Sequence, residues 1–141
     1  MINKVAPLPG LAGINSLTII DDSKVSEEDT LSNIFTRHEI GKNRGDVAVS
    51  NIKILNPMVQ ISNLHWNIKE KVATEDEELV KLLKSADCVF ITNFHPETMI
   101  SLNDLCHSVA DHPVKFFAAS VWGFYGFSFT DLGKKYKYLT E

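Results

Sequence analysis

The sequence predicts an α/β fold: a mostly parallel sheet with flanking helices. Two short apolar runs, SLTII over 16–20 and CVFIT over 88–92, are continuous rather than alternating, as in strands covered on both faces. Between and after them lie segments whose apolar residues fall at helical spacing. Stop and start signals mark those segments: Asn56-Pro57, Thr74 with Glu77, and Pro96. Strands alternating with helices of this length imply parallel pairing.

In order along the chain, residues 1–10 carry Pro7, Pro9 and Gly10 without any period and read as a loop or disordered lead-in. Ser16 to Ile20 is a strand that leaves the sheet at the acidic pair Asp21 and Asp22. From Ser23 to Gly41 the chain is polar around one apolar island, Leu31, Ile34 and Phe35, and reads as a long loop with a short helical turn. Val47, Ala48, Ile52 and Leu55 lie near one helical face within 42–55, and Pro57 ends that helix. Met58 to Trp66 is patterned as a strand, and Thr74 opens a helix to Ser85 through a capping box with Glu77. Cys88 to Thr92 is the next strand. Pro96 begins a helix reaching 107–110, closed by His112-Pro113. Val114 to Val121 and Phe124 to Thr130 complete two more strands around Trp122-Gly123, leaving 134–141 as a tail or edge strand. There is no internal repeat and no low-complexity stretch.

Of 141 residues, 44% are hydrophobic and 23% charged, the balance of one globular domain. Fourteen Lys and Arg face 18 Asp and Glu, a net charge of -4 with no basic stripe, which argues against a partner bound through its phosphate backbone. No apolar run approaches the roughly 18 residues of a membrane span, and MINKVAPLPG lacks the apolar stretch of a secretory signal. An intracellular chain with reduced thiols at Cys88 and Cys106 is expected.

In sheets of this kind the ligand crevice lies outside the carboxyl ends of the strands, which draws attention to Asp21, Asp22, Asn93 and Ser120. Each is also an ordinary way to end a strand. A mononucleotide-binding unit needs a strand, a glycine-rich turn and a helix whose amino end faces phosphate. Gly10 and Gly13 precede the first strand and lack the spacing, so the chain reads as though it begins at the second strand. Lys42 and Arg44, in GKNRGD, could present two cations at a helix start or could simply be a solvated first turn. Cys106 and His107, adjacent on a helix, point about 100 degrees apart and do not face each other. Cys88 reads as a small buried hydrophobe. The five histidines, at 38, 65, 95, 107 and 112, show no metal-ligand spacing. Seven aromatics between Phe116 and Phe129, without interleaved Lys or Arg, suggest core and a protein-facing surface rather than a base-stacking platform.

Four segments in order, GINSLTIIDDSKVSEEDTLSNIFTR, EIGKNRGDVAVSNIKILNP, ADCVFIT and KFFAASVWGFYGFSFTDLG, resemble the ThiF-type adenylation fold of ubiquitin-like modifier activating enzymes. The likeness is to the non-catalytic halves, above all those of the SUMO branch, and runs over about 11–133. It implies a Rossmann-like domain lacking the family's first strand and glycine-rich helix, within a chain that spans an internal piece of a longer subunit. In catalytic halves an SNLNRQF-type segment brings an arginine to the triphosphate; here Ser32 and Asn33 stand at the aligned positions and Arg37 is displaced. TNFHPETM puts Asn93 and Phe94 where such halves carry an acid. Lys42 matches the family's GK, and Asp21 and Asp22 match its acidic strand end. The resemblance therefore implies that Asp21, Asp22, Asn33, Lys42 and Arg44 are remnants of a nucleotide site, with no catalytic residue and no metal site in this chain. It also implies that Phe124, Tyr125, Phe127 and Phe129 face a partner. That partner, the catalytic subunit of a SUMO-activating heterodimer, would hold ATP and magnesium and act on SUMO, in the nucleus or also the cytoplasm. The same fold serves the inactive halves of ubiquitin- and neddylation-activating enzymes. A stand-alone nucleotide-binding α/β protein is the alternative of a different class.

Overall fold

The computed structural model describes residues 13–31, 34–109, 112 and 114–133. The lead-in over 1–10, Asn33 and the tail over 134–141 lie outside the described residues. The chain divides into two compact units, residues 2–68 and residues 69–141.

The first unit is a β-α-β crossover. Strand β1 (Ser16–Ile20) pairs in parallel with β2 (Gln60–Leu64), from Ser16 opposite Gln60 to Ile20 opposite Leu64. Helix α1 (Arg44–Leu55) connects them and buries Val47, Ala48 and Ile52 against the strands. Asn43 caps it, its side chain accepting from the Asp46 amide at 2.9 Å, and satisfies one of the donors a helix start leaves unpaired. Ile19 and Ile52, each 1% exposed, centre a core that also takes Val59 and Ile61.

The long connection between β1 and α1 is pinned in place. Val25 and Phe35 are buried in the core. The Val25 amide donates to the Lys42 carbonyl and its carbonyl accepts from the Gly41 amide, both at 2.9 Å. Gly41 sits at φ +85°, a left-handed turn that costs glycine little. Two short 3-10 turns, Glu28–Leu31 and Arg37–Glu39, replace the single helical turn expected there.

In the second unit, α2 (Ile68–Ala73) and α3 (Glu77–Lys84) precede β3 (Cys88–Thr92), α4 (Pro96–Val109), β4 (Lys115–Trp122) and β5 (Tyr125–Asp131). The helix expected from Thr74 begins instead at Glu77. Asp76 is its cap, accepting from the amides of Glu78 and Leu79, while the Thr74 hydroxyl donates back to the Glu70 carbonyl at 3.0 Å and closes α2. A short carboxylate beside two free amides outcompetes a hydroxyl already used by the preceding turn. Lys71 bridges this joint, 2.9 Å from Asp76 and 2.8 Å from Glu78.

Strands β3 and β4 are parallel, and β4 and β5 are antiparallel, paired from Phe116 opposite Asp131 to Trp122 opposite Tyr125. The sheet is mixed here because a two-residue turn, Gly123-Phe124, can only reverse the chain; Gly123 takes φ +57°. Alternation along β4 buries Phe116, Ala118 and Ser120. Helix α4 buries Met99, Leu102, Leu105 and Cys106. Cys88 is exposed rather than buried: it lies on the same face of β3 as Phe90, which is exposed too. No helix among the described residues is long and apolar enough to cross a membrane.

Candidate functional site

The carboxyl end of β1 meets the amino end of α1, and the polar residues the sequence singled out there are brought together by the crossover. Asp21 follows β1 directly and is buried, its amide donating to the Leu64 carbonyl at 3.1 Å so that the hydrogen bonding to β2 carries one residue beyond β1's end. Arg44, first residue of α1, grips it with one edge of the guanidinium: Nε donates to Oδ2 at 2.7 Å and Nη2 to Oδ1 at 3.1 Å. The Ser23 amide donates to Oδ1 at 2.9 Å, forming a tight turn. Nη1 of Arg44 reaches Asp29 Oδ1 at 3.5 Å, and the other Asp29 oxygen accepts from the Ser26 amide and hydroxyl, each at 2.9 Å. Burial alone would push the Asp21 carboxyl up; the hydrogen bonds from Arg44 and Ser23, with the Arg44 charge, outweigh it and hold the carboxyl below its usual range. Burial opposes the Arg44 charge as well, and the Asp21 partner more than restores it.

Beside this pair runs a second polar chain. Asn63 donates at 3.0 Å to Asn43 Oδ1 and at 3.0 Å to Asp46 Oδ1, and His65 Nε2 lies 2.9 Å from the same Asp46 oxygen. The His65 and Asn63 hydrogen bonds hold the Asp46 carboxyl below its ordinary value. Asn43 Nδ2 donates to the Asp21 carbonyl at 3.3 Å, joining the two chains. Gly45 packs directly against this chain: a Cβ there would meet the Asn63 amide and force it to move.

Of the sequence candidates, Asp21 and Arg44 thus meet, and they meet each other. Asp22 and Lys42 are exposed. Asp29, Asn43, Asn63 and His65 are members that sequence reasoning passed over. Asn43 carried a signal, as an Asn three residues ahead of Asp46 at a helix start; Asn63 and His65 carried none, because their place depends on strand pairing. In the second unit the Asn93 side chain accepts from the Val121 amide at 3.0 Å, and the buried Ser120 hydroxyl has no partner among the described residues. Phe124, Tyr125, Phe127 and Phe129 are all exposed, together with Trp122 and Val121.

A nucleotide at such a strand end needs a glycine-rich turn for its phosphates and an accessible carboxylate for its ribose. The described residues supply no such turn, and Asp21 is engaged from within the chain. They also contain no group of three His, Cys, Asp or Glu placed to hold a metal ion. Burial pushes the Cys106 thiol up to about 12 and raises that of Cys88, so thiolate is scarce at both. His107 turns away from Cys106 and lies 2.8 Å from Asp131 instead.

The model of the ThiF family matches residues 5–137. SUMO-activating enzyme subunit 1 of Xenopus laevis is 31% identical over 125 residues, covering 88% of this chain and 33% of that protein. The subunit of Rattus norvegicus is 32% identical and that of Homo sapiens 30% identical, each over 127 residues with the same coverage. The chain spans about one third of the length of these relatives.

Proposed function

This chain belongs to the ThiF family, and we propose that it serves as a non-catalytic half of a heterodimeric SUMO-activating enzyme. In this reading the partner subunit binds ATP and magnesium, adenylates the modifier and carries the thioester cysteine, while this chain completes the dimer. The observation that carries the reading is the identity of about 30% to SUMO-activating enzyme subunit 1 over 88% of the chain. The internal ion pair of Asp21 with Arg44 supports a supporting rather than catalytic role, because it uses the carboxylate a ribose would take. The exposed aromatics at 122–129 support a protein-facing surface, as aromatic residues are enriched where proteins meet. A nuclear location follows from the same proposal.

Co-purification of the chain with the catalytic SUMO-activating subunit of its own organism, followed by ATP-dependent thioester formation on SUMO, tests the proposal. Association with activity is the expected result. Association without activity would reduce the chain to an inhibitory fragment, and absence of association would refute the assignment.

A further inference from the structure

We propose that β5 is the pairing edge of a symmetric homodimer, in which the β5 strands of two copies of this chain run antiparallel about a two-fold axis at Phe127. β5 lies at the end of its sheet, in the order β3-β4-β5. Its register with β4 runs unbroken from Trp122 opposite Tyr125 to Phe116 opposite Asp131, so it has no bulge, and from Tyr125 to Thr130 it has no proline and no charge. Those are the devices that keep a strand edge from pairing. The hairpin also fixes which backbone groups are open. A two-residue turn makes Trp122 and Tyr125 a hydrogen-bonded pair, and such pairs recur at every second residue. Tyr125, Phe127 and Phe129 therefore spend their amides and carbonyls on β4. Gly126, Ser128 and Thr130 turn theirs to the open edge, which no strand among the described residues meets.

The order of residue types selects a second copy as the occupant. From Tyr125 to Phe129 the strand reads aromatic, small, aromatic, small, aromatic, the same in both directions. A two-fold axis at Phe127 places Phe127 opposite Phe127, Tyr125 opposite Phe129 and Gly126 opposite Ser128, so that every ring meets a ring and the open amides meet open carbonyls. Moving the axis to Ser128 would set Tyr125 against Asp131, whose carboxylate His107 already engages at 2.8 Å. Charge selects the same place. A chain of net charge -4 repels its own copy, and this neutral stretch lets two copies meet with no like charges opposite. The rings are already arrayed, Phe127 stacked 5.7 Å from Trp122 and Phe129 6.5 Å from Phe116. Tyr125, Phe127 and Phe129, 81%, 38% and 48% exposed, offer roughly 500–800 Å² across two copies. That is under the roughly 1,200 Å² of a stable interface, which makes the pair a weak, concentration-dependent dimer. The pairing rests on the strand alone, whichever enzyme the chain serves.

Sedimentation velocity on the unmodified chain should show a reversible passage from monomer to dimer between micromolar and millimolar concentration, with growth stopping at two. Over the same range the amides of Gly126, Ser128 and Thr130 should pass from fast to slow exchange with water, while those of Tyr125, Phe127 and Phe129 stay slow throughout. In a Cys88→Ser background, Phe127→Cys should cross-link to itself on oxidation; Tyr125→Cys and Phe129→Cys should cross-link when mixed and not alone. Ser128→Pro removes an amide that β4 does not use, and should leave the chain folded and monomeric. A chain that stays monomeric, assembly beyond two, a dimer without these cross-links, or a dimer that survives in folded Ser128→Pro would overturn the proposal. Slow exchange of Gly126, Ser128 and Thr130 in the dilute monomer would overturn it too, by showing that another part of the same chain covers the edge. If Ser128→Pro does not fold, exchange and cross-linking decide. Failure to capture a SUMO-activating partner leaves every one of these readouts intact, so the two proposals fail separately.

Discussion

Phe116→Ala is the substitution whose effect the structure specifies most closely. Phe116 is 1% exposed, lies opposite Asp131 on β5 and beside Val89 on β3, and sets its ring 6.5 Å from that of Phe129, tilted by 60°. Truncation removes the ring from the centre of the three-stranded sheet and leaves a cavity that flanking strands cannot collapse into without breaking register. The expected loss is about 3–5 kcal/mol, against a total of roughly 5–15 kcal/mol for a domain. In thermal terms that is a fall of roughly 10–20 °C. Urea denaturation followed by circular dichroism reads the free energy, and amide exchange locates it, with loss of protection in β3 to β5. Phe124→Ala is the internal comparison: at 105% exposure its ring touches solvent, and the change should stay within about 0.5 kcal/mol. A Phe116→Ala chain as stable as its parent, or a Phe124→Ala chain equally damaged, would refute the assignment of one ring to the core and the other to the surface.

Three further outcomes follow from local geometry. Asp131 is held at about 2, chiefly by the hydrogen bond from His107, with the Gly133 amide and Asn103 adding to it. Its folded value lies below the unfolded one, so its contribution, about 1 kcal/mol after solvent screening, is complete above about pH 4 and lost as pH falls towards 2; Asp131→Asn should flatten that limb of a stability profile, and an unaltered limb would contradict the pairing. Gly45→Ala drives a methyl group into the Asn63 amide and should cost about 1–3 kcal/mol in urea melts, a neutral result showing that Asn63 can swing away freely. With a thiol reagent at neutral pH, exposed Cys88 should label first and buried Cys106 only on unfolding, as mass spectrometry would show; equal rates would place Cys106 outside the core.

Much of the fold was legible from local pattern. SLTII and CVFIT coincide with β1 and β3 because continuous apolar runs of strand length leave few other options, and Pro96 opens α4 because its missing amide is harmless in a first turn. The cap of α3 lies two residues later than expected, since Thr74 and Asp76 both suit a cap and the choice depends on how α2 ends. Cys88 looks buried from its apolar neighbours, yet it falls on the face of β3 that also exposes Phe90, and only the packing of the sheet decides which face is covered. The aromatic run from Phe116 to Phe129 could not be divided by composition; the alternation of β4 and the position of β5 put Phe116 inside and Phe124 to Phe129 outside.

By itself the sequence determined the α/β class and, through four ordered segments, the kinship to the ThiF family, because both are written in short stretches of residue type and order. Only the tertiary structure decided what Asp21 does. The sequence presents Asp21 as an acid at a strand end and Arg44 as a cation at a helix start, 23 residues apart. The β-α-β crossover brings those two ends together, and at 2.7 Å, with both side chains largely buried, the opposite charges bind each other.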